Sequence, residues 1–443
     1  MKRTLILIAL LCFLALAVVV YLSYPRLNII SGYSAKNMDS SVFLAGRDFQ
    51  FTDTTDNNFA PVNIAEDKID YKDKTTTASV YGFVARKAMY RDGLGSVLLL
   101  EDSDVTAPYL SPARSQINTM LPFPYGDEEQ KDTVFTAIDY QALKKAVENA
   151  FDEVKKTRAV VVVYKDHIVA EKYAEGFDKN SKILGWSMTK SLTATVYGIL
   201  QSHGKLSIHD RAPVASWKDD ERASITLNDL LHMNSGLEWN EDYTSISDVT
   251  KMLFLARDMS KIQEEKPSVF PPDTHWNYSS GTSNLLSGIL HNYFDSQQQY
   301  LDFWYSAFID KIGMYSMTVE ADLSGNYVGS SYSWATPRDW AKFGLLYLHG
   351  GNWNGDQVFN ESWVSYVTTP TNTSNGRYGG HFWLNSGGFH PDVPKDIFSA
   401  NGYQGQRVFI IPSKDLVIVR MGLTEEPNFD FNEFLKGVLS SVK

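Results

Sequence analysis

Cysteine is all but missing from this chain: the single one in 443 residues is Cys12, inside an apolar N-terminal stretch. The rest of the sequence therefore has no disulfide, thiolate metal site or cysteine nucleophile to draw on. Basic residues are outnumbered, 41 Lys and Arg against 52 Asp and Glu, for a net charge of −11. No Lys/Arg run interleaved with aromatics occurs. That balance argues against nucleic acid or an anionic membrane face as the principal partner. Several catalytic signatures are missing too: there is no G-x-S-x-G elbow, Walker loop, Rossmann glycine pattern or H-E-x-x-H pair. The nine histidines are scattered; His381 and His390 could line a pocket but read as structural or surface residues. Asp339, near Pro337, reads as a helix-start residue, and Asp219-Asp220-Glu221 as a solvated turn. No metal and no organic cofactor is implied.

What is present begins with a targeting signal. Lys2-Arg3 precede an apolar run of 18 residues, Leu5 to Leu22, ended by Pro25 and Arg26; about 20 such residues cross a bilayer as a helix. Ala15-Leu16-Ala17 offers a cleavage site, but Val18–Leu22 keeps the run apolar beyond it. Residues 1–25 therefore read as an uncleaved signal anchor in preference to a removed signal peptide. Positive charge on the short side places the N-terminus in the cytoplasm and the body outside it. The expectation is an exported, periplasmic protein of a bacterium, held at the inner membrane by this segment only.

With 43% apolar residues the chain is long enough for a large core or two domains. Residues 26–135 read as an accessory region, a structural cap without assigned chemistry. Within it Thr52–Thr77 reads as loop and Val80–Ala85 and Gly95–Leu100 as strands, and prolines at 108, 112, 122 and 124 break regular structure. Residues 136–443 form the main domain. It opens on a helix over Tyr140–Lys156 and a hairpin, Thr157–Tyr164 and Ile168–Tyr173, about the turn Lys165-Asp166-His167. It closes on a second hairpin, Gln406–Pro412 and Leu416–Met421, and a helix over Asp430–Val442. Strands at both ends with helical sequence between predict an α+β fold: one antiparallel sheet flanked by helices, with a largely helical middle.

The chemistry starts at Ser187-Met188-Thr189-Lys190. The following stretch to Gln201 has helical spacing, so Ser187 falls at a helix N-terminus and Lys190 projects from the same face. Unpaired N–H groups and the positive end of the helix dipole favour negative charge there. A desolvated lysine can take the serine proton. Alone, S-x-x-K is a short pattern that a serine cap and an exposed lysine also satisfy.

Further segments follow in order: Leu230-Leu-His-Met-Asn-Ser-Gly-Leu237, Tyr278-Ser279-Ser280, Ala335-Thr-Pro-Arg-Asp-Trp-Ala-Lys-Phe-Gly344, and Asn401-Gly-Tyr-Gln-Gly-Gln406. Together they resemble the serine beta-lactamase and penicillin-binding-protein superfamily over about residues 140–440. The likeness is greatest to its class C-like branch, with esterases, D-aminopeptidases and aminohexanoate-oligomer hydrolases. The resemblance implies a beta-lactamase/transpeptidase-like fold. It implies that Ser187 attacks an acyl carbon, that Lys190 accepts or relays its proton, and that Tyr278 completes the relay. A tyrosine of ordinary pKa near 10 is a poor base, so the three form one coupled titrating unit. By the same resemblance Tyr403-Gln404-Gly405 opens the strand lining the site, Gly405 allows close approach of backbone to substrate, and the backbone N–H groups of Ser187 and Gln406 form the oxyanion hole.

Two departures stand out. Ser280 replaces an asparagine, so a side-chain amide contact to substrate is lost or replaced there, and Tyr403 replaces the lysine or histidine of the third motif, removing a charge that meets a substrate carboxylate. Ser280 and Tyr403 are expected beside Gly405 and Gln406 against the substrate. The expected activity is cleavage of a small ester, amide or peptide-like substrate through a Ser187 acyl-enzyme. Two alternatives stand beside it: a penicillin-interactive DD-peptidase or beta-lactamase, and a degenerate, non-catalytic cell-wall-binding member.

Overall fold

Helix-forming sequence runs well past the apolar N-terminal stretch, and α1 spans Lys2–Asp39. The computed structural model describes residues 2–443 apart from 105, 116–119 and 127, and for residues 2, 3, 9, 15–17 and 19–23 it describes the backbone alone. Among the described residues no helix is long and apolar enough to cross a membrane. The expected signal anchor falls on residues 1–25, where residue 1 and those side chains lie outside the described residues.

The chain forms two compact units. The first comprises residues 1–91, 95–107 and 240–257. Its meander of four antiparallel strands, β1 (Ala65–Asp70), β2 (Thr75–Val80), β3 (Phe83–Arg91) and β4 (Gly95–Leu98), is paired in sequence order. The C-terminal part of α1 packs on it. Tyr33 of α1 lies 5.5 Å from Phe254 of the helix Asp248–Leu255 and 5.3 Å from Phe59. Two expectations fail in this unit. Thr52–Thr77 is not loop throughout: β1 turns Ala65, Asp67 and Ile69 inward, and the inward acid hides the alternation. Ser34 Oγ donates to Asp67 Oδ2 at 2.6 Å and Asn57 Nδ2 at 3.3 Å, while burial pushes that carboxyl up to about 6. Val80–Ala85 is not one strand either, because Tyr81 and Gly82 take positive φ and make the β2–β3 turn.

The second unit comprises residues 92–94, 108–239 and 258–443. Helix α2 (Tyr140–Glu148) starts on the Asp139 cap and stops short of Lys156. Asp152 Oδ1 there accepts from the Val154 and Lys155 amides, making a turn. Strands β5 (Thr157–Tyr164) and β6 (His167–Tyr173) form the expected hairpin, followed by helices α3 (Thr189–Ser202), α4 (Ser280–Ile289) and α5 (Pro337–Leu348). Short strands β7 (Trp383–Leu384) and β8 (Phe398–Gly402) precede the second hairpin, β9 (Gln406–Ile411) and β10 (Leu416–Gly422), and α6 (Phe431–Ser440) closes the chain. One antiparallel sheet has the order β7-β8-β9-β10-β5-β6, with Val419 of β10 opposite Val161 of β5. The two ends of the unit thus meet at its centre, in the α+β arrangement expected.

Val160–Val163 cannot alternate between a wet and a dry face, and both faces of β5 are covered. Val161 and Val163 join the larger core with residues of α3 and α5, whereas Val160 and Val162 join the core built from α2 and α6. Each such valine contributes about 1.5–3 kcal/mol by leaving water.

Candidate active site

Ser187 is presented by a strained turn. A short strand, Ile183–Leu184, ends at Gly185, and Trp186–Met188 make a single 3-10 turn into α3. Trp186 has φ +48°, a left-handed conformation that costs a non-glycine residue about 1–2 kcal/mol. Several contacts fix it. Gly185 N donates to Ser333 O at 2.7 Å, Thr189 Oγ1 donates to Trp186 O at 2.7 Å, and the indole lies 5.7 Å from the Tyr403 ring and 6.0 Å from Tyr332. Ser187 is left half-buried ahead of a helix whose residues from Thr189 to Leu200 are all buried.

Lys190 is 1% exposed and its Nζ has three oxygen neighbours at 2.9 Å: Ser187 Oγ, Ser280 Oγ and the Ser330 carbonyl. It also stands 4.9 Å from the centre of the Tyr278 ring. The structure therefore brings together the three residues proposed from sequence as a relay, on the α3 N-terminus and the segment entering α4. Ser280 departs from its expected position against substrate. It is fully buried as the first residue of α4 and its hydroxyl serves Lys190, because the short side chain ends at the amine rather than reaching past it.

The third segment needs a second revision. At Gly405, φ is +80°, and the place a Cβ would take is filled by the Thr424 carbonyl and Arg420 Nη1. Glycine is demanded by what packs behind the turn, not by substrate approach. The close approach on the catalytic side is at Gly402, where a Cβ would overlap the Gly185 carbonyl. Gly402 pairs with Gln406 across β8 and β9, and this brings the expected oxyanion strand against the Ser187 turn. The Gln406 side chain is committed elsewhere: Nε2 donates to Gly422 O at 2.6 Å and Oε1 accepts from Gly422 N at 3.0 Å. Only its backbone is left to face a substrate.

Three residues packed around the site escaped the sequence reading. Arg420 is fully buried, with Nη1 donating to Gln404 O, Gly405 O and Thr424 O, and Nη2 to Lys155 O and Thr157 Oγ1. Burial, and then the nearby Arg407, push its guanidinium down to about 9. Arg407 holds the same turn, donating from Nη1 to Gly402 O at 2.8 Å and Gln406 O at 2.9 Å. Burial depresses it, opposed first by Glu425 and then, more weakly, by Tyr278. A cation thus stands near Tyr278 although Tyr403 itself supplies none; burial, then Glu425, raise the Tyr403 hydroxyl and keep it neutral. Trp383 is the third, its ring 5.3 Å from Tyr278 and 5.3 Å from Tyr378. Single charged or aromatic residues inside strands carry no spacing signal, though the glycines at 405 and 422 that make room for Arg420 do hint at it.

His381 is structural. Its Nδ1 lies 2.6 Å from Leu231 O and its Nε2 2.8 Å from Ser283 Oγ, and its own carbonyl accepts from Ser191 Oγ of α3 at 2.7 Å. The carbonyl partner puts the proton of the neutral ring on Nδ1. Burial pushes His381 down to about 3 and His232 down to about 4, from an ordinary 6.5. Both pKa values are lower folded than unfolded, so their contribution is complete above pH 6.5, is lost progressively as pH falls below 6.5, and is gone once pH has fallen through the folded values. At pH 4.5 the loss approaches ~2.7 kcal/mol per histidine. The urea midpoint is expected to fall between pH 7 and pH 4.5, and His381→Gln to shrink that fall; an unchanged fall in the variant would refute the assignment. Asp339 sits in the first turn of α5 behind the Thr336 cap, as expected. Among the described residues no group of His, Cys, Asp and Glu could hold a metal ion.

Known proteins share this architecture. A family model described as Beta-lactamase matches residues 147–436. The chain is 25% identical over 307 residues to 6-aminohexanoate-dimer hydrolase of Paenarthrobacter ureafaciens, a match covering 61% of this chain and 74% of that protein. A family VIII carboxylesterase superposes with a TM-score of 0.55 at 15% identity, over 70% of this chain and 98% of that one. A penicillin-binding protein homologue from Caulobacter crescentus gives 0.51 at 13% identity, over 70% and 99%. The solved structures speak to the fold, which is beta-lactamase/transpeptidase-like.

Proposed function

We propose, from the premise that this chain belongs to the beta-lactamase family, that it is a serine hydrolase cleaving a small ester or amide through a Ser187 acyl-enzyme. The observation that carries this reading is the placement of Lys190 Nζ, 2.9 Å from Ser187 Oγ and equally far from Ser280 Oγ and Ser330 O. Once deprotonated, this amine is held within reach of the serine proton by its contacts to Ser280 Oγ and Ser330 O. Ser187 Oγ then attacks the acyl carbon as its proton passes to Lys190, and the oxyanion meets the N–H groups of Ser187 and Gln406. The leaving oxygen or nitrogen takes a proton through Lys190 and Tyr278. Water repeats the cycle on the acyl-enzyme and frees the acid. Removal of one oxyanion donor typically costs ~2.7–4 kcal/mol.

A substrate without a carboxylate at the third segment agrees with the uncharged Tyr403 and with the aromatic surroundings of Tyr278, and amide or ester cleavage agrees with relatives named as an aminohexanoate-dimer hydrolase and a carboxylesterase. The apolar run from Leu5 to Leu22 supports an exported enzyme anchored in the inner membrane. Intact mass of the full chain in detergent tests the nucleophile. Exposure to a fluorophosphonate should add one phosphonyl group to the wild type and none to Ser187→Ala; an adduct independent of Ser187, or no adduct, would overturn the reading. A further adduct with penicillin would shift the substrate towards cell-wall peptides.

A further inference from the structure

One end of the four-stranded sheet in the first unit holds two aromatic side chains in the open. They belong to the β2–β3 turn: Tyr81 is 70% exposed and Phe83 is 74% exposed. Tyr81 has φ +54° and Val84 φ +50°, a left-handed backbone that a β-branched residue rarely adopts. A Cβ placed on Gly82, between the two rings, would meet nothing within 4 Å. From Thr75 to Ala85 the chain carries no charge, so no ion would have to leave water if this tip entered lipid.

Contacts fix the level of the tip along α1. Arg86 Nη1 of β3 donates to Asn28 Oδ1 at 2.9 Å and lies 3.7 Å from the place a Cβ on Gly32 would take. Farther along both elements the Tyr90 ring stands 6.3 Å from Phe43. Strand β3 therefore runs in the same sense as α1. Phe83 precedes Arg86 by three residues, about 10 Å of strand, which equals the rise of about seven helical residues. Counted back from Asn28 and Gly32, the turn is level with about residues 21–25 of α1. The apolar run ends there, at Leu22, and the next charge is Arg26. A headgroup layer of about 5–7 Å covers each face of a bilayer, and aromatic side chains are favoured in it. Tyr24 of α1, 48% exposed, stands at the same level.

We propose that the β2–β3 turn is a membrane-contact site, with Tyr81 and Phe83 seated in the headgroup layer of the leaflet where the apolar run of α1 ends. The first unit is then held against the lipid surface and does not swing from a single helix. The assignment rests on Leu5–Leu22 as the anchor and uses nothing of Ser187. Tyr71 supplies the contrast. It is 65% exposed but follows β1 at the opposite end of the sheet, 6.0 Å from Phe43, and there it stays in water.

Fluorescence quenching of the full chain in liposomes of phosphatidylcholine and phosphatidylglycerol tests the contact. Cys12 is the only cysteine, so a nitrobenzoxadiazole label on it reports the anchor. Cys12→Ser combined with Tyr81→Cys or with Tyr71→Cys moves the label to either end of the sheet. Lipids carrying a nitroxide near the headgroup should quench the Tyr81→Cys label at least ~2-fold and leave the Tyr71→Cys label unchanged. Lipids carrying it near the chain end should quench the Cys12 label most. Phe83→Asp, added to Tyr81→Cys at a position the fold leaves exposed, should relieve most of the quenching, with an unchanged thermal melt as the check on folding. Quenching that Phe83→Asp does not relieve, or equal quenching at the two ends of the sheet, would overturn the contact. So would an unquenched Tyr81→Cys label beside a quenched Cys12 label, which would leave the anchor standing and the tip free for a protein partner. A Cys12 label that escapes quenching would overturn the anchor and the contact together.

Discussion

Ser187→Ala is expected to lower kcat/KM for a small ester by ~10⁴–10⁶-fold, Lys190→Met by a similar factor, and the double variant by no more than the worse of the two. The reason is the shared proton: an oxygen 2.9 Å from the amine that activates it is useless without that amine, and the amine has nothing to activate without the oxygen. Stability should separate the two. Ser187 is half-buried, and its truncation should move stability by no more than about 0.5–1 kcal/mol. Lys190→Met strands the Ser280 hydroxyl and the Ser330 carbonyl in the interior, each costing about 1–3 kcal/mol. Steady-state hydrolysis and thermal melts of the three variants check both halves. Additive losses, or more than a few per cent of activity left in Ser187→Ala, would sink the reading.

Arg420→Met should be nearly as damaging from a greater distance. The guanidinium joins Gln404, Gly405 and Thr424 to Lys155 and Thr157, so one group fixes the turn that leads into Gln406. Methionine fills much of the volume but leaves those oxygens without donors, and a loss of roughly 3–5 kcal/mol is expected. Lysine should not rescue it, since three donors on a point charge cannot reproduce a planar fork. The informative readout is the split between constants. A displaced oxyanion donor lowers kcat by ~10²-fold or more with KM little changed, whereas simple loss of folded protein scales activity with the folded fraction. Activity normalised to folded protein that matches the wild type would refute a positioning role.

Much of the second unit was legible because its elements are written in local pattern. The valine run of β5, the turn Lys165–His167 and the paired strands about Ser413–Asp415 each declare themselves within a few residues. The serine helix did so as well, by spacing. What could not be read is fixed by contacts distant in sequence. Gly405 looked like a substrate-facing glycine because the residue that needs its missing Cβ, Arg420, arrives from the neighbouring strand. Ser280 looked like a substrate contact because nothing local says that its hydroxyl meets an amine 90 residues earlier. In the first unit β1 was invisible because its inward position is Asp67, an acid whose partners Ser34 and Asn57 come from other segments. Strands β7 and β8 were missed because their pairing, Trp383 to Ser399, follows no alternation.

The first unit takes residues 240–257 from far down the chain, and that sets a clock on its birth. A ribosome adding ~5–20 residues per second needs roughly 7–27 s to pass from residue 107 to residue 240. Throughout that wait Tyr33 has no Phe254 to meet. The sheet and the helix that leave the ribosome first must stay open while the stretch carrying Ser187 and Lys190 is made. Anything that holds nascent chains therefore has its longest opportunity at the beginning of this one.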